Sequence, residues 1–292
     1  MSRILIVNPF ATGVTEERLA AVRSALPSAT VVRVTTRQGQ ATDIAQEASS
    51  TVEALFVFGG DGTFNEVLNG VDTATPVGFI PGGGTSVLPR ALGLPRMPVE
   101  AARRVASGVT RKIGVGRVNG RRFGFGAGIG LDAEMVRAVD ALGRRPDGRR
   151  PGDAAFAWAG LRTLASHRFR LEPALEIKGF GRAAFALVAN CPDYSYAGPI
   201  ALRVAPHASF DSGLDVVAPR RLRAHELPRL LAYAVGKGGD PAKARRLVYA
   251  HDLQALEIDC DRPLPLQADG EDLGDVEWAV FEAERGAVTV LV

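Results

Sequence analysis

Short apolar runs alternate with amphipathic stretches through the first third of the chain. Apolar and β-branched residues dominate positions 4–7, 30–34 and 54–58, while residues 16–25 and 41–48 have the spacing of helices that bury one face. Because parallel neighbouring strands need a crossover, which is usually a helix, this order predicts a parallel sheet covered by helices. Ligands of such sheets bind beyond the carboxyl ends of the strands.

The pattern changes after about residue 111, where short strand-like runs are separated by glycine. Asn119-Gly120 predicts a hairpin turn between strands at residues 115–118 and 122–125. The later runs predict a mostly antiparallel second part. Its further strands are expected at residues 174–177, 183–188, 214–217, 253–258, 276–281 and 288–292.

A chain of 292 residues is long enough for two domains of ~100–200 residues each. We therefore expect an α/β plus β fold, with a Rossmann-like parallel-sheet domain at residues 1–115 and an antiparallel β-sandwich domain at residues 116–292. Helical stretches at about residues 131–164 and 223–234 interrupt the second domain. The final strand is a candidate to return to the first domain, which leaves the boundary soft.

Composition and charge exclude several classes of protein. Hydrophobic residues make up 46% of the chain and charged residues 23%, which is typical of a packed globular protein and not of a disordered one. The formal charge of +3 is too close to balance to indicate a nucleic-acid partner. The two cysteines form no CxxC pattern, and no apolar run reaches the ~18 residues of a membrane span, so we expect a cytoplasmic protein.

The strongest local signal lies at residues 56–67, where a buried strand runs into closely spaced glycines and then into a helix. Glycines let the backbone approach a phosphate, and a helix N-terminus offers N–H groups and a positive dipole end. Asp61 suits such a site if Mg²⁺ lies between its carboxylate and the phosphate. The alternative is a tight turn with Asp61 as a helix cap, which would not require three glycines at this spacing.

Two further turns are weaker candidates for the same site. The glycine-rich turn at residues 81–86 follows an apolar run at residues 77–80, and a flexible loop is an equally good interpretation of it. The first turn, at residues 8–13, follows the first strand. Its alternative is a proline turn in which Thr12 or Thr15 caps a helix.

Four motifs occur in a fixed order: GGDGTFNEVLNG at residues 59–70, GAGIGLDA at 126–133, DSGLDV at 211–216 and DGE at 269–271. In this combination the chain resembles, almost end to end, the diacylglycerol kinase catalytic domain family of bacterial lipid kinases, relatives of sphingosine and ceramide kinases. The GGDGT core is shared with NAD kinases and, more distantly, with phosphofructokinases. The later motifs therefore carry the distinction, and the implied fold is NAD-kinase/diacylglycerol-kinase-like.

The resemblance implies roles for particular residues. Glu271 would be the base that takes the proton from the acceptor hydroxyl, and Asp61 would organise Mg²⁺ and water in the ATP loop, a division of work that suits phosphoryl transfer. Without the family context, Asp-Gly-Glu is more simply a β-turn between two strands. The residues implied in nucleotide binding are Asn8, Thr12, Gly13, Thr35, Gly59, Gly60, Asp61, Gly62, Thr63, Asn65, Gly84 and Thr85.

The chain also departs from the family pattern. Ser86-Val87 stand where many relatives have Asn-Asp, so one carboxylate of the metal network is absent. Some relatives have a structural Mg²⁺ site at the positions of Ser209, Ser212 and Leu214, but Ser212 replaces an acidic residue there, so retention of that ion is an open question.

The resemblance implies ATP and Mg²⁺ as cofactors and a lipid acceptor at a membrane surface, with diacylglycerol, the precursor of phosphatidic acid, as the first candidate. We expect the active site in a cleft between the two domains and the protein on the inner face of the membrane. The arginines of residues 144–150 are either a solvated loop or a docking site for anionic headgroups. An NAD kinase and a nucleotide-binding module that has lost catalysis stay open as alternatives, and a homodimer stays open as the assembly.

Overall fold

The computed structural model describes residues 2–143 and 153–292 of the chain. Two compact units divide it: Met1–Val115 together with Arg285–Val292, and Gly116–Glu284. The elements of the first unit are β1 (Arg3–Val7), α1 (Glu16–Ala25), β2 (Thr30–Val34), α2 (Gln40–Ala48), β3 (Ala54–Gly59), α3 (Asp61–Gly70), β4 (Val77–Pro81), α4 (Val87–Ala91) and α5 (Pro98–Ala106).

The strand β5 (Thr110–Val118) leads into the second unit. There follow β6 (Arg121–Phe123), β7 (Gly126–Ile129), α6 (Leu131–Asp140), α7 (Asp153–Ser166), β8 (Arg170–Leu171), β9 (Leu175–Ile177), β10 (Gly181–Ala183), β11 (Ala186–Ala189), β12 (Ser195–Ala197), β13 (Ile200–Leu202), β14 (Leu214–Pro219), β15 (Leu222–Arg223), α8 (Leu227–Ala234), β16 (Leu247–Leu253), β17 (Ala255–Ala268) and β18 (Glu271–Leu291). Short 3-10 helices occupy Ala224–Glu226 and Pro241–Lys243.

The first unit is built on a parallel sheet with the strand order β4-β3-β1-β2. All six residues of β3 and all five of β4 are buried, as expected where helices cover both faces of a sheet. The end of β18 adds to β4 in parallel, through the pair Val290↔Val77. The end of the last strand, from Arg285 onward, therefore belongs to the first unit, while residues 271–284 of β18 belong to the second.

The second unit is antiparallel, with the main strand order β16-β14-β11-β7-β17-β18. Asn119 and Gly120 have φ angles of 46° and 87° and join β5 to β6, so the predicted hairpin is confirmed. The core of this unit includes Phe123 and Phe281, whose rings meet edge to face at 6.4 Å. Together the two units confirm the predicted fold class.

Several predicted boundaries were wrong. The runs at residues 276–281 and 288–292 belong to the single strand β18, which continues through Gly286 because that glycine takes a positive φ of 59° without ending the strand. Leu253 ends β16 instead of starting the next strand. The helix predicted from residue 223 begins only at Leu227, since Arg223 is taken up by β15 and a proline at the start of α8 fixes the first turn.

The helical stretch predicted at residues 131–164 consists of α6 and α7. The arginine cluster at residues 144–150 lies outside the described residues. In the part of the chain that the structure covers, no helix combines the length and the apolar character needed to cross a membrane.

Replacing Phe281 by alanine should lower the free energy of unfolding by about 3–5 kcal/mol, because the ring is completely buried against Phe123 and its loss leaves a cavity. Urea unfolding measures the change. Trp278→Ala on the same strand is the matched control, since this side chain is 58% exposed and should change the stability by much less. Equal losses for the two variants would contradict this description of the core.

Candidate active site

The turn after β3 leaves the N-terminus of α3 without a side-chain cap. Gly60 is the capping residue, with φ −103° and ψ −178°, and as a glycine it makes no side-chain cap hydrogen bond to the first turn. Asp61 lies inside that first turn, so the alternative of Asp61 as a helix cap is not what the structure has. The amides of this turn and the positive end of the helix dipole are therefore suited to an anion.

Backbone hydrogen bonds join the turns that follow β1, β3 and β4. The amide of Gly13 donates to the carbonyl of Gly82 at 2.7 Å, and the amide of Gly82 donates to the carbonyl of Gly59 at 2.7 Å. Gly83 approaches Gly60 so closely that a Cβ atom on Gly83 would lie 2.9 Å from the Cα atom of Gly60. Glycine is needed here because these backbones touch. This contact supports the prediction that the glycine-rich turns after β3 and β4 are parts of one site.

Asn8 connects the first of these turns to helix α3. Its side-chain amide donates to Thr63 Oγ1 at 2.8 Å, and its backbone amide donates to the carbonyl of Phe58 at 3.0 Å. Thr35 is buried at the end of β2, and its amide donates to the carbonyl of Val7 at 2.8 Å. Asn8 and Thr63 thus lie together at the carboxyl edge of the sheet, and Thr35 is anchored to the end of β1.

The other predicted nucleotide residues differ in accessibility. Gly84 is exposed, with no heavy atom within 4 Å of the position its Cβ would take, and Thr85 is half-buried. Thr12 is half-buried in the first turn. Asn65 is fully buried and accepts a hydrogen bond from Asn69, so its side chain is engaged inside the unit. Direct contacts of these four residues with a nucleotide stay predictions.

Asp61 is the carboxylate of this site. Its Oδ1 atom accepts a long hydrogen bond, 3.4 Å, from the amide of Leu88. Val87, at the position where many relatives have an acid, is 3% exposed and packs as an apolar residue. A metal ion here would therefore have the Asp61 carboxylate and ligand oxygens as donors, which is the ordinary donor set for Mg²⁺ with a phosphate substrate.

In the Asp-Gly-Glu motif of the second unit, Asp269 and Gly270 form a two-residue hairpin turn between β17 and β18. Asp269 and Gly270 both have positive φ, 49° and 78°, and Ala268 pairs with Glu271. The Asp269 carboxylate accepts hydrogen bonds from three successive amides, those of Gly124, Phe125 and Gly126, at 2.6, 3.0 and 3.2 Å. The turn is therefore anchored to the start of β7, a role for Asp269 that sequence reasoning missed.

Glu271 is the first residue after this turn, and its side chain is 16% exposed. Arg121 Nη2 donates to Glu271 Oε2 at 2.5 Å. The Glu271 carboxylate is therefore held in an ion pair with Arg121. Arg121 follows the Asn-Gly hairpin by one residue, and nothing in the sequence pattern distinguished it from the other arginines.

The glycines of the GAGIGLDA segment do not frame a dinucleotide site. A Cβ atom on Gly126 would lie 2.6 Å from the ring of Tyr194, and one on Gly128 would collide with the carboxylate of Asp132. Tyr194 donates to Asp132 Oδ2 at 2.6 Å, and the side-chain amide of Gln267 donates to the same atom at 2.6 Å. Gly126 and Gly128 thus make room for a polar cluster next to the Asp-Gly-Glu turn.

Burial sets the protonation of this cluster. It raises the pKa of the Asp132 carboxyl, while the hydrogen bonds from Tyr194 and Gln267 oppose the rise. The pKa of Tyr194 is raised well above its ordinary value, mainly by burial and to a smaller extent by the negative charge of Asp132. The Tyr194 phenol is therefore a proton-bearing donor at neutral pH.

The predicted structural metal site has few donors to offer. The carbonyl of Ser209 accepts hydrogen bonds from the amide and the hydroxyl of Ser212, both at 3.0 Å. Leu214 begins β14. Within residues 2–143 and 153–292, no group of three or more His, Cys, Asp or Glu side chains is arranged to hold a metal ion. Magnesium at Ser209, Ser212 and Leu214 stays a prediction that this donor set does not favour.

Comparison with known families agrees with the division of motifs. Residues 2–118 match the model of the "Diacylglycerol kinase catalytic domain", and residues 126–292, more than half of the chain, match the "YegS C-terminal NAD kinase beta sandwich-like domain". This chain belongs to the bacterial lipid kinase family. The resemblance inferred from the four motifs is thereby confirmed, as is the NAD-kinase/diacylglycerol-kinase-like fold.

Individual members of the lipid kinase family align over most of the chain. A "Diacylglycerol kinase" of Bacillus subtilis is 30% identical over 83% of this chain and 79% of its own length. A "Probable lipid kinase YegS-like" of Serratia proteamaculans is 31% identical over 92% of this chain and 87% of its own. A diacylglycerol kinase structure from Bacillus anthracis shares the fold, with a TM-score of 0.72, 21% identity and coverage of 99% and 96%.

Gly83→Ala should lower the free energy of unfolding by about 1–3 kcal/mol, because its methyl group would force apart two turns whose backbones touch. Gly84→Ala adds the same methyl group where no atom lies within 4 Å and should leave the stability within about 0.5 kcal/mol. Urea unfolding of both variants is the measurement. An unchanged midpoint for Gly83→Ala would contradict the close approach.

Asp269→Asn should lower the free energy of unfolding by about 1–3 kcal/mol. The Asp269 carboxylate accepts hydrogen bonds from three amides, and the substitution removes its charge and one of its two oxygens. Asp275→Asn on the same hairpin is the matched control. Asp275 is half exposed and pairs with Arg137 at 2.7 Å, a surface ion pair of about 0–1 kcal/mol. Thermal unfolding compares the two, and a control loss as large as that of Asp269→Asn would argue against the anchor.

Proposed function

We propose that this protein transfers the γ-phosphoryl group of ATP to a lipid hydroxyl, with diacylglycerol as the first candidate and phosphatidic acid as its product. The observation that carries the proposal is the uncapped N-terminus of α3, framed by turns in backbone contact. Two relatives that align over most of the chain are named as lipid kinases, which supports the lipid as acceptor.

The triphosphate would bind to the backbone amides of residues 59–63. Backbone donors and the helix dipole stabilise negative charge without having to reorganise, which is the main demand of phosphoryl transfer. Asp61 would hold Mg²⁺, which neutralises charge on the phosphate oxygens when it is bound. Asn8 would act indirectly, because its bond to Thr63 fixes the first turn of α3.

Glu271 would accept the proton of the attacking hydroxyl. Its carboxylate is paired with Arg121, and it follows a turn that Asp269 holds in place. A positioned base of this kind contributes about 10²–10⁴-fold to a rate. The attacking oxygen then forms its bond to the γ-phosphorus as the bond to the leaving oxygen of ADP breaks.

A lipid substrate requires contact with a membrane surface, and we propose that the protein works on the inner face of the membrane. On α7, Trp158 and Leu161 are 64% and 49% exposed and lie three residues apart, so they share one face of the helix. Exposed aromatic and aliphatic side chains of this kind are suited to the interface between headgroups and acyl chains.

Label transfer from [γ-³²P]ATP to a panel of acceptors tests the function directly. We expect labelled phosphatidic acid from vesicles that contain diacylglycerol, with turnover lowered about 10²–10⁴-fold in Glu271→Gln and strongly lowered in Asp61→Ala. Labelled NAD would establish an NAD kinase instead. ATP binding without transfer to any acceptor would establish a nucleotide-binding module, which the apolar Val87 makes a real alternative.

A further inference from the structure

We propose that Asp132, Tyr194 and Gln267 form a positioning cluster that fixes the Asp-Gly-Glu turn and thereby orients Glu271 for proton transfer. The inference rests on the function proposed for Glu271. It assigns a role to the GAGIGLDA segment, which neither the nucleotide site nor the base explains. The three residues are positioning residues, because the contacts that carry the inference run to the turn and not to a substrate.

Gln267 makes the connection between the cluster and the turn. Its side-chain nitrogen donates to Asp132 Oδ2 at 2.6 Å and to the Tyr194 hydroxyl at 2.8 Å, while its Oε1 atom accepts a hydrogen bond from the amide of Gly270 at 2.8 Å. Gln267 is 3% exposed, so water does not compete for these bonds. Both ends of one amide side chain are therefore committed, one to the cluster and one to the residue directly before Glu271.

The cluster itself has little freedom. Tyr194 packs on Gly126 and Asp132 packs on Gly128, at distances that leave no room for a Cβ atom on either glycine. The Tyr194 hydroxyl donates to Asp132, and this leaves its oxygen to accept from Gln267. The orientation of the Gln267 amide follows, because its NH₂ group must face the two acceptors and its oxygen must face the turn.

The turn is then held from two sides. On one side Asp269 binds the amides of residues 124–126, and on the other Gln267 binds the amide of Gly270. Both turn residues have positive φ, a conformation that needs such support at the non-glycine Asp269. Since a displacement of about 1 Å at a reacting group can cost about 10²-fold in rate, loss of the second anchor should lower turnover without changing the nucleotide site.

A double-mutant cycle with Gln267→Met tests this role. The methionine has a similar length but neither the donor nor the acceptor, so we expect kcat to fall about 10–100-fold with an unchanged KM for ATP. In a Glu271→Gln background the same substitution should cause no further loss, because a residue that acts only through Glu271 has nothing left to position.

Two tyrosine variants provide a milder comparison. Tyr194→Phe removes one hydroxyl from the cluster and should lower kcat several-fold. Tyr249→Phe removes a hydroxyl that donates to the buried Asp215 at 2.7 Å, away from the turn, and should leave kcat unchanged. This pair decides the question if Gln267→Met does not fold.

The outcomes separate the two proposals. An unchanged kcat in Gln267→Met or Tyr194→Phe overturns the positioning role, as does an equal loss in the wild-type and Glu271→Gln backgrounds, which would indicate a general structural effect. Full turnover in Glu271→Gln itself overturns the proposed base and, with it, the reason for positioning it.

Discussion

Direct contact between the backbones of three turns is the constraint on which the first unit depends. The bonds Gly13 to Gly82 and Gly82 to Gly59 form a chain across the carboxyl edge of the sheet, and Gly83 lies against Gly60. Side chains at these points would hold the turns apart. The turns instead meet as backbone, and α3 begins at Gly60 without a side-chain cap, an arrangement that suits a phosphate at the helix N-terminus.

The second unit solves a different problem, which is how to hold one carboxylate in a defined place. The three residues of the Asp-Gly-Glu motif differ in what they contribute. Asp269 anchors the turn to three amides, Gly270 takes up the left-handed conformation, and Glu271 is the proposed base. Arg121 forms an ion pair with the Glu271 carboxylate, and Gln267 joins the turn to a buried polar cluster. Most residues of this unit's candidate site thus serve to hold the Glu271 carboxylate in place.

The sequence predicted these features unevenly, for physical reasons. Local chemistry, such as the Asn119-Gly120 hairpin and the glycine turn before α3, was readable because backbone conformation depends on adjacent residues. The structure shows the β-turn interpretation of Asp-Gly-Glu, and the catalytic interpretation stays a prediction with which this turn is compatible. The contacts of Arg121 with Glu271 and of Tyr194 with Gln267 could not be predicted from the residues, because they span 150 and 73 positions and no periodicity marks them. The continuous strand β18 was missed because glycines interrupt its apolar pattern.

Amide chemical shifts during a titration with ATP and Mg²⁺ test the central claim most directly. We expect the largest shifts at the amides of residues 59–63 and 82–84, and we expect a short-chain diacylglycerol added afterwards to shift those of Gly270 and Glu271. Large ATP-induced shifts elsewhere, with the amides at the start of α3 unchanged, would contradict this claim.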